Sequence, residues 1–330
     1  MSNLLDQAFG PGVDLTSSIN DIALPNEPRI NIVTEWDEAG IETTKGFVER
    51  EGEVIQFLPT SARGGVATPH RSGPRAGVEV STVHIPTRGS VLADEVQDMR
   101  AFGKTTSDTP EALRVKKLTE MRKNIEYTNA MFRMGAIKGL VLDADGSTPI
   151  LDIFALWGVA QQVVSFALDV SGTNVLLKVI DSERKSEDAL GGNTPTEFVA
   201  LASPTFMDSL RGHADYERRL QYAAPSALMA DFRTGIAIGN TTFVEMRAPA
   251  GSPIAIEDNT AYLVPRGVEG LLISRFAPGD YVDSVNTVGL PVYARSEPMP
   301  MGKGYTLEAQ SNPFHLCTRP RAIVKLTAAA

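Results

Sequence analysis

The chain has 330 residues, a formal charge of −9, 42% apolar and 22% charged residues. That balance excludes disorder over most of its length and argues against a duplex-binding protein, which needs a basic face. The single cysteine, Cys317, excludes an intrachain disulfide and a cysteine-built metal site, and no apolar run approaches the length of a membrane span.

The first residues, Met-Ser-Asn-Leu-Leu-Asp-Gln, lack the basic start and apolar run of a secretory signal, so folding in a cytoplasm is expected. Up to about residue 40 the chain carries Pro11, Pro25 and Pro28 among short apolar groups, and Ile30 to Trp36 reads as one short strand. Such a segment rarely builds its own core; it reads either as a frayed terminus or as an arm lying along another surface. The most telling stretch follows. Between Glu53 and Glu79 there are twenty-five residues without a carboxylate, flanked by strand-like Phe47–Leu58 and Gly77–Pro86. The tip holds Gly64, Gly65, Pro69, Gly73 and Pro74 with Arg63, Arg71 and Arg75.

A long hairpin needs a third strand or a surface to be stable in water. If its own chain does not supply one, another copy must, which points to an assembly subunit more than to an enzyme. The three arginines read either as a solvated tip or as intersubunit contacts. In the second case they meet carboxylates such as Asp94, Glu95 and Asp98, or acids further along the chain.

Thr109-Pro110-Glu111 then supplies an N-cap, a first-turn proline and a first-turn acid for a helix. Leu118, Met121, Ile125, Phe132 and Ala136 mark one apolar stripe, and Gly139 ends the helix after Lys138. Thirty residues make a rod of roughly 45 Å. Arg114, Lys116, Lys117, Arg122 and Lys123 occupy much of the rest of its surface as intersubunit partners, nucleic-acid-facing charges or a plain solvated face.

Leu140 to Ile153 reads as a hairpin turning at Asp145-Gly146, and a second helix is predicted from about Thr173 to Leu190, closed by Gly191-Gly192-Asn193. Strands follow at 198–202, 235–239, 242–246, 261–264 and 270–274 around one compact core, with a helical patch at 205–210. Extended stretches at 293–295, 304–317 and 322–326 complete an α+β arrangement, not an alternating parallel one.

Reactive constellations are hard to build. Gly103-Lys104-Thr105 has Asp98 where a phosphate loop needs glycine, and Gly302-Lys303-Gly304 lacks the third glycine of a dinucleotide site and reads as a turn. Asp143-Ala144-Asp145-Gly146 opens like a calcium loop, but Phe154 stands where its glutamate belongs, so it reads as a hairpin turn. His70, His84, His213 and His315 are dispersed. No catalytic, cofactor or metal site is expected.

The final third resembles the major capsid protein E family of lambda-like tailed bacteriophages. The resemblance rests on Phe276-Ala277-Pro278-Gly279-Asp280-Tyr281-Val282, Gly289-Leu290-Pro291-Val292-Tyr293, Gln310-Ser311-Asn312-Pro313 and Cys317-Thr318-Arg319-Pro320. The order of elements agrees along essentially the whole chain.

It implies an α+β HK97-like capsid fold, with an N-terminal arm (1–42) and an extended E-loop hairpin (43–90), both lying across neighbouring subunits. A peripheral domain (91–170) would contain the spine helix at about 109–138. An axial domain (171–284), return strands of the peripheral domain (285–318) and a C-terminal axial strand (319–330) would follow. The function implied is that of a major capsid protein, self-assembling into hexamers and pentamers of an icosahedral shell around double-stranded DNA held without sequence-specific binding.

The partners implied are further copies, a separate scaffolding protein, a portal and a decoration protein, with no membrane; the location is the virion, assembled in host cytoplasm. Some such heads are cross-linked through an E-loop lysine, but residues 46–103 contain none, so a noncovalent shell is expected. The rival readings are an encapsulin-type compartment of the same fold, a soluble hydrolase, and a tail or decoration component.

Overall fold

A computed structural model describes residues 13–24, 28–51, 75–98, 110–221, 235–248 and 252–329. The chain opens with β1 (Val13–Asp14), α1 (Thr16–Asp21) and α2 (Arg29–Val33), then β2 (Asp37–Gly40). Residues 30–36 are therefore not one strand. Pro28 precedes a short helix, Thr34 Oγ1 donates back to the Ile30 carbonyl at 2.5 Å, and Trp36 Nε1 donates to Thr34 Oγ1 at 2.8 Å. Local alternation suggested a strand; burial of Ile30 against the long helix selects the turn of helix.

Two antiparallel strands, β3 (Lys45–Glu51) and β4 (Arg75–Ser81), form the base of the expected hairpin, in register from Lys45–Ser81 to Glu51–Arg75. The second flank ends earlier than the sequence reading placed it. Ile85 and Pro86 already belong to β5 (Ile85–Leu92), which leads to α3 (Ala93–Asp98).

Next comes α4 (Pro110–Lys138), 29 residues with the expected start and end; Gly139 takes a left-handed φ of 91°. Thr109 lies outside the described residues. The predicted hairpin is β6 (Leu140–Leu142) and β7 (Pro149–Asp152). At its turn Gly146 has φ 70°, and the Asp145 carboxylate accepts from the amides of Ser147 and Thr148, each at 2.9 Å. The Thr148 hydroxyl, donating at 2.7 Å, together with these amides holds its pKa far below the usual carboxylate range.

After α5 (Ile153–Trp157) and β8 (Gln162–Ser165), α6 (Val175–Leu190) starts at Asn174, whose side chain accepts from Leu177 N, and stops at Gly191. The remainder is β9 (Glu197–Ala202), α7 (Pro204–Arg211), α8 (Ala214–Gln221), β10 (Ile236–Ile238), β11 (Thr241–Glu245), β12 (Thr260–Arg266), β13 (Leu272–Phe276), β14 (Tyr293–Pro298), β15 (Gly304–Ser311), β16 (Pro313–Cys317) and β17 (Val324–Thr327).

A six-stranded mixed sheet runs β10-β11-β9-β12-β17-β8. It is covered on both faces, which explains the unbroken apolar run of β9. Phe198, Ala200 and Ala202 point to a core with Phe166, Phe206 and Phe243, whose ring centroids lie 5.7–6.2 Å apart. Val199 and Leu201 point to a second core with Ala130, Met134 and Ile137 of α4.

The strand at 272–276 leaves that sheet. β13 lies between β16 and β2, parallel to β2, so it pairs in another sheet, although Leu271 and Leu272 still pack in the core with Val199, Leu201 and Val244. A four-stranded sheet, β1-β14-β15-β5, packs Val91, Ala294, Leu307 and Ala309 against Leu118, Met121 and Ile125. The helical stripe is thus shared between cores: Phe132 and Ala136 enter a different cluster, with Val80, Phe314 and Leu316.

Candidate assembly surface

Gly46 is buried because its missing Cβ leaves room for the Phe314 ring, and Val80 is buried beside it. Val48 and Val78 pack onto the same cluster, so one face of the β3–β4 base rests on its own body. The other face does not. Phe47 is 66% exposed, lying over Gly77, where a side chain would collide with its ring. Lys45 bridges to Glu79 at 2.5 Å in solvent. Among the described residues neither strand pairs with anything but the other.

Arg75 opens β4 opposite Glu51; Arg63 and Arg71 lie outside the described residues. Of the acids considered as their partners, Asp94 is exposed on α3, Asp98 ends that helix, and Glu95 is already taken. Lys117 reaches Glu95 at 2.5 Å, and the Leu92 amide donates to it at 3.3 Å; these contacts hold its carboxyl below the usual range.

Two cations of α4, Arg122 and Arg133, have a use that the sequence reading did not weigh: they fasten the chain's own leading segments. Arg122 donates to the Ile19 carbonyl of α1. Arg133, which the sequence reading passed over, is 5% exposed; it donates to Asn31 Oδ1 at 2.8 Å and to Glu38, and lies 5.5 Å from the Trp36 ring. The available signal was an arginine inside the otherwise apolar run Met131–Ile137. Lys116 and Lys123 remain on the exposed face.

As a result residues 13–24 and 28–40 dock on their own chain. Ile19 and Ile30 are buried, β1 pairs with β14, and β2 pairs with β13.

Groups capable of chemistry are sealed in. Ser274 Oγ and His315 Nδ1 lie 2.7 Å apart, both buried. Burial, with Arg133 nearby, pushes the His315 pKa well below its ordinary value, and burial pushes the Cys317 thiol up to about 12. The described residues form a packed body with one exposed ribbon face, suited to contact.

A family model described as phage major capsid protein E matches residues 13–328. The chain belongs to the phage major capsid protein E family. It is similar to the major capsid protein of Pseudomonas phage KPP10, 26% identical over 71% of this chain and 73% of that one. It is also similar to that of Salmonella phage Felix O1, 24% identical over 73% of this chain and 75% of its relative. The solved capsid of cyanophage Pam1 shares the fold, with a TM-score of 0.55 at 9% identity, covering 94% of each chain.

The α+β HK97-like capsid fold and the role of major capsid protein in the phage virion stand on these matches. The family is a structural one and not an enzyme family, and the encapsulin reading is not favoured.

Proposed function

We infer that this capsid protein assembles with copies of itself into hexamers and pentamers of an icosahedral shell enclosing packaged double-stranded DNA, and has no catalytic activity. The shell forms in the host bacterial cytoplasm with scaffolding, portal and decoration proteins, and holds without covalent links. In this reading α4 with the four-stranded sheet, β5 included, is the peripheral body, the six-stranded sheet is the axial body, and the hairpin based on β3 and β4 reaches a neighbour.

The observation that carries the reading is the β3–β4 ribbon, which rests on its body at one face and offers Phe47, Lys45 and Glu79 to solvent on the other. Arg63, Arg71 and Arg75 act at its tip on carboxylates of the next copy. Exposed pairs contribute about 0–1 kcal/mol each, so the contact works by repetition around a ring. The net charge of −9 suits a wall that must not hold DNA phosphates.

Replacing Arg63, Arg71 and Arg75 together with glutamate is expected to leave a folded, soluble subunit that forms no shells by negative-stain microscopy. Normal particles from that variant would remove the tip from the assembly contacts. Nuclease-protected DNA in particles made during infection distinguishes a genome container from an empty compartment.

A further inference from the structure

One charge on the six-stranded sheet stands where its neighbours are apolar. On β17, Val324 and Leu326 enter the aromatic core, so strand alternation turns Lys325 to the opposite face. Across that face the paired residues run Leu201, Tyr262, Lys325 and Val163. Leu201 and Tyr262 pack in the core that α4 covers, whereas Val163, on the edge strand β8, is 53% exposed. The Lys325 ammonium lies 5.8 Å from the centre of the Tyr262 ring. Among the described residues it has neither a hydrogen bond nor a carboxylate at ion-pair distance.

Lys325 lines a cavity of about 230 Å³ between the end of α4, β6 and the sheet. A second cation, Lys138, lines it too and is anchored: its ammonium donates to the Ala255 carbonyl and lies 3.7 Å from Glu257 Oε1. The other oxygen of Glu257 accepts from Tyr262 Oη at 2.9 Å and from Thr260 Oγ1 at 3.3 Å. Burial, and behind it the charge of Lys325, lowers the Lys138 pKa, so the two ammoniums feel each other. Two cations and one acid leave the cavity with an excess positive charge. The rest of its wall includes Met131, Leu140 and Leu142, and Leu140 is 40% exposed.

We propose that this cavity is a carboxylate-binding site, which takes a carboxyl group on a short apolar stem. Lys325 receives the carboxylate in a charge-assisted hydrogen bond, and the leucines of β6 lie against the stem. A ligand of charge −1 cancels the excess, whereas a doubly charged phosphate would overshoot it beside Glu257. At about 30 Å³ per water-sized group the space holds about seven such groups, enough for propionate or for an acidic side chain. A free small carboxylate and an acid of a second copy share this chemistry. The site goes beyond the shell reading and does not depend on it, because its chemistry belongs to the single subunit.

The test follows NMR spectra of the unassembled subunit, labelled at methionine and leucine methyls, while propionate is added. The Met131, Leu140 and Leu142 methyls are expected to move and saturate. Lys325→Met is expected to keep the urea midpoint and weaken the apparent affinity about tenfold or more, and propylamine should move none of these methyls. Unmoved methyls, equal saturation in Lys325→Met, or an equal response to propylamine or to inorganic phosphate would overturn the proposal. In assembled particles, carbodiimide coupling distinguishes the sources. An amide joining Lys325 to an acid of another copy identifies a neighbour's side chain; an uncoupled Lys325, with a carboxylic acid recovered from the unfolded particles, identifies a free ligand. Particles with neither would count against the site, whereas failure to form particles counts against the shell reading and leaves the NMR result standing.

Discussion

Arg133 is held by three groups from the leading segment: Asn31, Glu38 and the Trp36 ring. Replacing it with methionine keeps the bulk but leaves these partners without their donor. The Arg133→Met subunit is expected to lose about 2 kcal/mol in urea unfolding. An unchanged midpoint would mean that the arm is held by its apolar contacts alone.

His315 gives a dependence on pH. Its folded pKa is depressed, so the unfolded chain binds a proton that the folded one refuses. The stability it contributes is present above the unfolded value of about 6.5 and is lost as pH falls below it. The urea midpoint of the unassembled subunit should therefore drop from about pH 7 to about pH 5. A His315→Asn variant should show a shallower drop; an equal slope would place the acid sensitivity elsewhere.

At the scale of elements, the 281–290 loop depends on a glycine packed against backbone. Gly289→Ala brings a Cβ onto the carbonyl of Phe276, which cannot swing aside. A loss of about 1–3 kcal/mol is expected in urea unfolding. Gly172→Ala, where nothing lies within 4 Å, should be silent and serves as the control.

Local signals explain why so much of the element order was legible in the sequence. Pro110 and Gly139 bound the long helix, Asp145-Gly146 marks a hairpin, and Asn174 and Gly191 bracket α6. These choices depend on a few neighbouring residues, and the structure keeps them. Partnership between distant elements does not have such a signal. Nothing within Leu272–Phe276 says that it pairs with β16 and β2 and not with β12, because an apolar strand fits either sheet.

The candidate site was legible only in part for the same reason. The hairpin and its arginines show in composition, whereas the clamp of Arg133 on Asn31 and Glu38 joins residues about a hundred positions apart. The lone cation in an apolar run was its only mark.

As a whole molecule, the chain buries the rings of Phe166, Phe206 and Phe243 among others and both faces of one sheet, yet leaves the outer face of the β3–β4 ribbon and the valines of the 281–290 loop in water. A subunit of this kind is stable enough to fold and incomplete until it meets its copies. The most direct measurement is a cryo-electron microscopy map of the protein expressed with its assembly partners. Closed shells are expected, with the exposed face of the β3–β4 ribbon of each copy, Phe47 included, covered by a neighbour. Small soluble oligomers, or shells in which that ribbon touches only its own body, would contradict the account.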